Sequence, residues 1–194
     1  MQAIKNKTDE QAGVRGEFTA EFFDQRTLSA KESLHNQRLS DRFALGLISR
    51  QEMLDGYFFG KKFAQDYRKN VITSVGFNAA AVKRMVGDTT YTGKINKALM
   101  GNGVGAATSA DTQLISEVYR NDVLSGSEDG NICYLTIVFT EAEVTGTFTE
   151  FGNCIDGTAA ANTGALFSHL AGLNWVKDAN TAIVISGKYT FASI

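Results

Sequence analysis

The pattern of apolar and polar positions changes along the chain from helix-like spacing to strand-like alternation. Ser29-Ala-Lys-Glu32 and Ser49-Arg-Gln-Glu52 each match the capping box, in which the serine accepts from a first-turn amide and the glutamate reaches back. The boxes predict where two helices begin, and the apolar spacing predicts that the first ends near Ile48 and that the second runs to about Lys69. Apolar and aromatic residues recur at three- and four-residue steps in both segments, namely Leu34, Leu39, Phe43, Leu45, Leu47 and Ile48, then Met53, Leu54, Tyr57, Phe58, Phe63 and Tyr67.

Two further stretches flank these predicted helices. Residues 1–28 contain glycine and scattered charge without a sustained period, which indicates an extended arm. Asn78 is a favourable N-cap, and Gly87 is of the type found just past a helix end. We therefore predict a short helix from Asn78 to Val86.

From about Lys94 onward the hydrophobic period is two, which is typical of strands. Strands are predicted from 95, near 115–123, and at 132–140, 144–155, 165–170 and 181–192, with a polar turn at 125–131. The last strand alternates along its whole length and is predicted to be central. The fold class is α+β, with a helical N-terminal arm followed by an antiparallel β-sandwich or jelly-roll-like domain. The predicted division is an extended arm at 1–28, a helical attachment segment at 29–69 and a β-sandwich domain at 70–194.

Composition supports one packed domain with an appendage. The 194 residues are 43% hydrophobic and 21% charged, which is ordinary for a globular chain. A net charge of −2 argues against a nucleic-acid binder, which needs a clustered basic surface. The longest apolar runs are far shorter than the roughly 20 residues of a membrane span, and the N-terminus lacks an apolar signal core, so no membrane association or secretion is expected.

Charge is distributed unevenly along the chain. Residues 1–70 carry 12 basic and 10 acidic side chains, whereas residues 71–194 carry 7 and 11. Residues 121–175 contain no lysine or arginine. This distribution suits contact between oppositely charged neighbours, although a solvated acidic face is the alternative.

Candidate chemistry is sparse in this sequence. Cys133 and Cys154 lack a CxxC motif or histidine partners, so buried free thiols are expected, with a disulfide as the alternative. His35 and His169 stand apart from any nucleophile motif, and Ser168 precedes His169 on a strand, so their side chains should point to opposite faces. No catalytic, cofactor-binding or metal site is predicted.

Three polar features have structural explanations. Gly101-Asn-Gly-Val-Gly105 lacks the ending of a phosphate loop and is predicted to be a turn that needs positive φ. Residues 127–131 offer oxygen ligands for Ca²⁺, to which Glu150 or Asp156 could add, but a hairpin turn is the favoured interpretation. Glu150 is expected to be partly buried and structural, pairing with Arg120 or accepting from backbone amides.

Four stretches of the second half, which carry five short motifs, resemble a group of small phage virion proteins. They read NVITSVGFNAAAVKRMVGD, TGKINKALMGNGVGAATSADTQLISEVYR, VTGTFTEFGNCIDG and ANTGALFSHLAGLNWVKDANTAIVISGKYTF. The group, usually described as tail- or baseplate-associated, carries ITxxGxxA, I-x-x-x-ALGxG, SxDTxLxxEVYR and GTxTExGxFDG segments and a closing strand after W-x-K. The resemblance spans residues 70–194. Here the turn reads Gly-Asn-Gly where Gly-Thr-Gly is common, the usual following proline is absent, and Cys154 replaces an apolar residue.

The resemblance implies a non-enzymatic structural subunit of a phage particle, in the tail, collar or fibre-base region. Its expected partners are other virion structural proteins and copies of itself in a ring or trimer, assembled in the host cytoplasm without a cofactor. The candidate interface residues are Phe18, Phe22, Phe23, Tyr57, Phe58 and Phe63.

Two alternatives remain open at this point. The first is a capsid decoration or head-fibre attachment protein. The second is a receptor- or glycan-binding module that uses Trp175, Tyr91 and the loop at 156–163. A glycan binder would expose Trp175 on a concave face, whereas a structural subunit should pack it under the closing strand.

Overall fold

The computed structural model describes residues 13–191 of the chain. Strands make up 46% and helices 20% of the structure, which is mostly antiparallel β. The strands are β1 (Val14–Asp24), β2 (Lys61–Ile72), β3 (Ile95–Gly101), β4 (Glu117–Asp122), β5 (Ser125–Asp129), β6 (Ile132–Phe139), β7 (Gly146–Ile155), β8 (Ala165–Lys177) and β9 (Thr181–Phe191). The helical segments are a 3-10 turn (Gln25–Thr27), α1 (Ala30–Ala44), α2 (Arg50–Asp55), α3 (Ser74–Phe77), a π-helical turn (Asn78–Val82) and α4 (Lys83–Met85).

All nine strands belong to one curled sheet with the order β4-β3-β7-β8-β2-β1-β9-β6-β5. The two outermost strands, β4 and β5, follow each other in the chain. The two residues that join β4 to β5 form hydrogen bonds near both ends of the sheet. The Val123 N–H donates to Asn96 O (3.0 Å), and the Leu124 N–H donates to Thr136 O (2.9 Å). The chain therefore passes directly from one end of the sheet to the other.

Strand β2 explains why this is a single sheet rather than the two separate sheets of the expected sandwich. Most of β2 pairs with β1, whereas its last two residues pair with Ser168 and His169 of β8. The strand thus belongs to both halves of the sheet. The β-rich character that the sequence predicts is confirmed, and the architecture is one curled antiparallel sheet.

The inner side of the curled sheet holds the main hydrophobic core. Alternate side chains of β1, β6 and β9 meet those of β3, β7 and β8 there. Aromatic rings pack edge to face, with centroid separations of 5.3 Å between Phe18 and Phe151 and 4.9 Å between Phe167 and Tyr189. The buried Tyr189 hydroxyl lies 2.7 Å from Ser168 Oγ, so it has a hydrogen-bond partner inside the core.

Two smaller clusters cover the outer side of the sheet. The α1–α2 hairpin packs its apolar face against β6 through Met53, Leu54, Tyr57 and Val138. The segment that joins β3 to β4 packs Leu114 against β3, β7 and β8 in a cluster with Leu99, Cys154 and Leu166. Parts of the sheet are therefore buried on both faces, which accounts for the run of buried residues at the start of β8.

Both predicted capping boxes are confirmed. The Glu32 N–H donates to Ser29 Oγ (3.3 Å), and Glu32 Oε2 accepts from the Ser29 N–H (2.8 Å). The Ser49 box has the same reciprocal bonds. A capping box marks where a helix begins but carries no information on where it ends. Accordingly, α1 ends at Ala44, before the predicted end at Ile48. Helix α2 has only six residues and ends at Asp55.

The predicted continuation of the second helix to Lys69 is wrong, because residues 61–72 form β2. Gly56 is the C-cap of α2. Gly60 approaches the chain so closely that a Cβ there would lie 1.9 Å from Asp24 O, which only glycine can accommodate. The two glycines end the helix and turn the chain. Residues 61–72 then form a strand because they pair with β1.

The extended arm predicted for residues 1–28 is corrected within its described part. Residues 14–24 form β1, which lies between β2 and β9 inside the sheet. Phe18, Ala20 and Phe22 alternate with more exposed residues and enter the main core. The alternation is weak in the sequence because Gly16 and Ala20 stand at inward positions. Residues 1–12 lie outside the described part of the chain.

Three local predictions near the strands also have definite outcomes. The helix predicted from Asn78 begins earlier, because Thr73 is the N-cap and accepts from the Gly76 N–H (3.1 Å). Its predicted end is confirmed, since Gly87 has a left-handed φ of 76° directly after it. The turn predicted at 125–131 is instead strand β5 followed by a tight turn at Gly130 and Asn131. The strands predicted at 132–140, 144–155 and 181–192 are confirmed as β6, β7 and β9 over the residues described.

Candidate functional site

The most concentrated group of ionisable side chains lies beneath the β3–β4 loop (residues 102–116). His169 on β8 stands between two carboxylates, with Nε2 3.0 Å from Glu150 Oε2 and Nδ1 2.6 Å from Asp111 Oδ2. Glu150 lies on β7, where it pairs with Ala171, two residues after His169 on β8. Asp111 belongs to the loop itself. Glu150 and His169 are fully buried. We call these three residues the acid–histidine cluster.

Glu150 holds the loop through backbone amides. Its carboxylate accepts from the N–H groups of Gly103 (3.0 Å), Ile115 (3.0 Å) and Ser116 (2.7 Å). A buried carboxylate is stable only when it is paired and hydrogen-bonded, and this one has both kinds of partner. The expectation that Glu150 accepts from backbone amides is confirmed. The alternative pairing with Arg120 is wrong, because Arg120 binds Glu117 instead (2.6 Å).

Asp111 secures the other side of the same loop. Burial raises the pKa of its carboxyl, but donation from the Thr108 N–H and hydroxyl and contact with His169 outweigh burial, so the pKa lies below its usual value. The carboxylate thus keeps its charge beside His169. The arrangement can fasten the loop to β7 and β8 through charge-assisted hydrogen bonds.

The serine next to His169 is directed away from the cluster. Ser168 Oγ lies 2.7 Å from the Tyr189 hydroxyl in the main core, on the opposite side of β8 from Glu150. The prediction that Ser168 and His169 point to opposite faces is confirmed. The acid–histidine cluster was not predicted, because its three residues are far apart in sequence and His169 has no neighbour that signals a site.

The glycines of the β3–β4 loop are needed for close packing and not for positive φ, which corrects the sequence prediction. Neither Gly101 nor Gly103 has a left-handed φ. A Cβ at Gly103 would lie 2.4 Å from Ile115 Cβ and 2.6 Å from Glu150 Oε1. A Cβ at Gly101 would lie 2.4 Å from the same Glu150 oxygen. Glycine therefore lets the loop approach the buried carboxylate.

Gly103→Ala is expected to lower the free energy of unfolding by about 1–3 kcal/mol, because the added methyl group must displace Ile115 or Glu150. Urea denaturation followed by circular dichroism would measure the change. Gly105→Ala is the matched control in the same loop, since its Cβ would meet only the flexible end of Ile115, at 2.9 Å. Equal losses for the two variants would contradict the close-packing argument.

A second polar clamp fixes the loop that joins β7 to β8. Arg120 Nη1 donates to Thr158 O (2.9 Å) and to Thr163 Oγ1 (2.8 Å). Glu117 pairs with this arginine and also accepts from the Asn162 N–H (3.1 Å). The proposed glycan loop at 156–163 is therefore bound to strand β4 at several points.

Trp175, the other main residue of the glycan alternative, is packed in the core. Its side chain is 2% exposed, and its ring lies 6.0 Å from Phe22 and 5.6 Å from Phe151. The indole N–H donates to Asp66 Oδ2 (2.9 Å) on β2. The prediction that Trp175 is packed is confirmed, with β1 and β7 as its neighbours.

The six candidate interface residues fall into two groups. Phe18, Phe22 and Tyr57 are buried within the chain, where the first two belong to the main core and Tyr57 packs between α2 and the sheet. Phe23 is half-buried against Phe59. Phe58 is 44% and Phe63 58% exposed. A contact with a neighbouring chain stays a prediction for these two exposed residues.

A cavity of about 630 Å³ opens between β3 and β5 at the corner where the ends of the sheet meet. Its lining includes the charged residues Lys94 and Glu128 and the residues Cys133, Leu135 and Tyr189. Cys133 and Cys154 are both free thiols. Burial raises the pKa of Cys154 to about 11, and burial with the nearby Glu128 charge also raises the pKa of Cys133, so both thiols stay protonated at neutral pH.

No known protein family, curated protein or solved structure matches this chain. Among residues 13–191, no three His, Cys, Asp or Glu side chains are placed to hold a metal ion. Within the same residues, no helix is both long and apolar enough to cross a membrane.

Proposed function

We propose that this chain is a structural subunit of a bacteriophage particle, in the tail, collar or fibre-base region, and that it acts by assembly with other proteins. The observation that carries the proposal is the exposed apolar surface of the α1–α2 hairpin. Leu45 is 73% and Leu47 65% exposed in the turn of this hairpin. Other apolar residues of the hairpin are also exposed, namely Leu34, Phe43 and Phe58.

This hairpin surface has the composition of a protein contact. The Phe58 ring packs 5.3 Å from the His35 ring, so Phe58 lies against α1. Exposed apolar clusters rimmed by charge are typical of protein interfaces, and α1 has Arg38, Asp41 and Arg42 around its apolar positions. The phage assignment is supported by the sequence resemblance of residues 70–194. The acid–histidine cluster fits a structural role, since Glu150 and His169 are committed to holding a loop.

Particle incorporation of Leu45→Ser/Leu47→Ser tests the proposal. In a phage that carries this variant gene, the amount of the protein per purified particle should fall at least about 10-fold, because truncating interface anchors commonly costs more than a factor of ten in affinity. Quantitative mass spectrometry of gradient-purified particles would measure it. Unfolding of the isolated variant should be unchanged, since both side chains are exposed.

Val82→Ser/Met85→Ser is a matched control, because these residues are also exposed and apolar but lie on the helical run before β3. This control should enter particles at the wild-type level. The proposal fails if the wild-type protein is absent from purified particles. It loses its supporting observation if the hairpin variant is incorporated normally. Gold labelling of the particle would separate a tail or fibre-base position from a head position.

A further inference from the structure

Strand β2 has one edge without a partner strand along most of its length. Residues 61–70, except Phe63 at a register shift, pair with β1 on one side, and only Val71 and Ile72 pair with β8 on the other. Within residues 13–191, no strand occupies the second side of β2 from Lys61 to Asn70. An edge of this kind presents backbone N–H and C=O groups that can pair with another strand.

Strand β5 is a second free edge, at the end of the sheet. Within residues 13–191 it pairs with β6 on one side only, and all five of its residues are exposed. Its sequence, Ser-Gly-Ser-Glu-Asp, ends with the adjacent acids Glu128 and Asp129. No ion pair is formed by either acid within the described part of the chain. The charge of this edge is therefore available to a partner.

The two free edges carry opposite charge. Along β2 a single acid, Asp66, is outnumbered by basic residues, namely Lys61, Lys62, Arg68 and Lys69. Strand β5 lies in the stretch from 121 to 175 that contains no lysine or arginine. Complementary charge steers association and sets the register of a contact.

We propose that a second copy of this chain adds its β5 to the free edge of β2, antiparallel, with Glu128 opposite Lys62 and Asp129 opposite Lys61. This inference rests on the proposed function, because it names the partner through which the chain assembles. The antiparallel direction matches every strand pair of the sheet.

The register follows from the occupied end of β2. An antiparallel strand that placed Glu128 and Asp129 opposite Lys69 and Arg68 would run past Val71, which already pairs with β8. At the Lys61 end the ladder would run along the open part of β2 and pass Phe63, which is exposed beside it. The register at the two lysines is thus the one that is open and charge-matched.

Each copy contributes a β2 edge to one neighbour and a β5 edge to another. Such a head-to-tail contact is heterologous, and repeated copies close into a ring or grow as a filament. The contact would also extend the curled sheet of one subunit into the next. It would cover two of the edges that the described part of an isolated chain leaves open to aggregation.

Charge reversal on the intact chain tests this contact. We would measure the oligomeric state of the wild type, Lys61→Glu/Lys62→Glu and Glu128→Lys/Asp129→Lys by light scattering and sedimentation velocity. Wild type should self-associate, and each variant should dissociate at least about 10-fold more readily, because attraction becomes repulsion at two cross-strand pairs. In an equimolar mixture of the two variants association should return, because copies that alternate join unlike charges at every contact.

The controls separate a lost contact from a lost fold. Arg15→Glu/Arg84→Glu makes the same charge change at exposed positions outside β2, β5 and the α1–α2 hairpin, and should keep the wild-type oligomeric state. Lys62 also pairs with Glu21 (2.8 Å) within the chain, so Lys61→Glu alone is a second β2 variant that leaves this pair intact. Circular dichroism should show the same folded spectrum for all variants.

Three results would overturn the contact. The first is a wild-type chain that stays monomeric up to about 100 μM, a concentration well above the dissociation constants of stable interfaces. The second is that the β2 and β5 variants associate like wild type. The third is that the mixture of the two variants fails to associate. If the protein is nevertheless present in purified particles, only the β2–β5 contact is wrong. Absence from particles would reject the proposed function whatever the oligomeric state.

Discussion

Glu150→Ala is expected to lower the free energy of unfolding by about 3–5 kcal/mol, because each buried hydrogen-bonding group left without a partner costs about 1–3 kcal/mol. The variant would leave three backbone N–H groups and the Nε2 of His169 without their acceptor beneath the β3–β4 loop. Equilibrium denaturation in urea would measure the loss. Hydrogen exchange should quicken first at the amides of Gly103, Ile115 and Ser116, because they lose their bonds directly.

Glu128→Ala is the matched control for this prediction. It removes the same side chain from an exposed position on β5, and its effect on the unfolding free energy of the monomer should stay within about 0.5 kcal/mol. A loss below about 1 kcal/mol for Glu150→Ala would show that the loop does not depend on the buried carboxylate.

Trp175→Ala is expected to lower the free energy of unfolding by about 3–5 kcal/mol, as is usual when a large aromatic side chain is removed from a packed core. The variant would leave a cavity between Phe22 and Phe151 and remove the donor to Asp66, which joins β8 to β2 where the two strands no longer pair. Trp175→Phe should cost less, because it keeps a ring in the core and loses mainly the hydrogen bond.

Val176→Ala is the neighbouring control, on the exposed face of the same strand. Its effect should be small, within about 0.5 kcal/mol. Trp175 is the single tryptophan of the chain, so its fluorescence reports directly on this position. Emission from the native protein should be blue-shifted and resistant to iodide. Ready quenching by iodide would instead place the indole at the surface and revive the glycan-binding alternative.

Local sequence signals predicted the elements whose cause is itself local. Ser29 and Ser49 begin helices because each hydroxyl accepts from a first-turn N–H, and the glutamate three residues later accepts from the serine N–H. Gly87 ends a helix because it adopts a left-handed φ. The alternation along β6, β7 and β9 predicted strands because each has at least one face in the core.

Predictions failed where a distant partner decides the conformation. Residues 61–72 carry aromatic residues at spacings compatible with a helix, yet they form a strand because β1 offers a partner edge. Residues 14–24 were predicted to be an extended arm because glycine and alanine occupy two of the inward positions. A larger apolar residue there would have made the two-residue alternation of a strand visible. The resemblance carried by residues 70–194 said nothing about either segment.

The sequence by itself determined the β-rich character of the chain, both helix starts and the uneven charge, since each depends on residue type and near-neighbour spacing. Only the tertiary structure decided which strands meet. It brought Asp111, Glu150 and His169 together beneath one loop, buried Phe18 and Trp175, and left the basic edge of β2 and the acidic edge of β5 without partner strands within residues 13–191. The physical reason is that strand pairing and burial arise between residues far apart in the chain, where local periodicity carries no information.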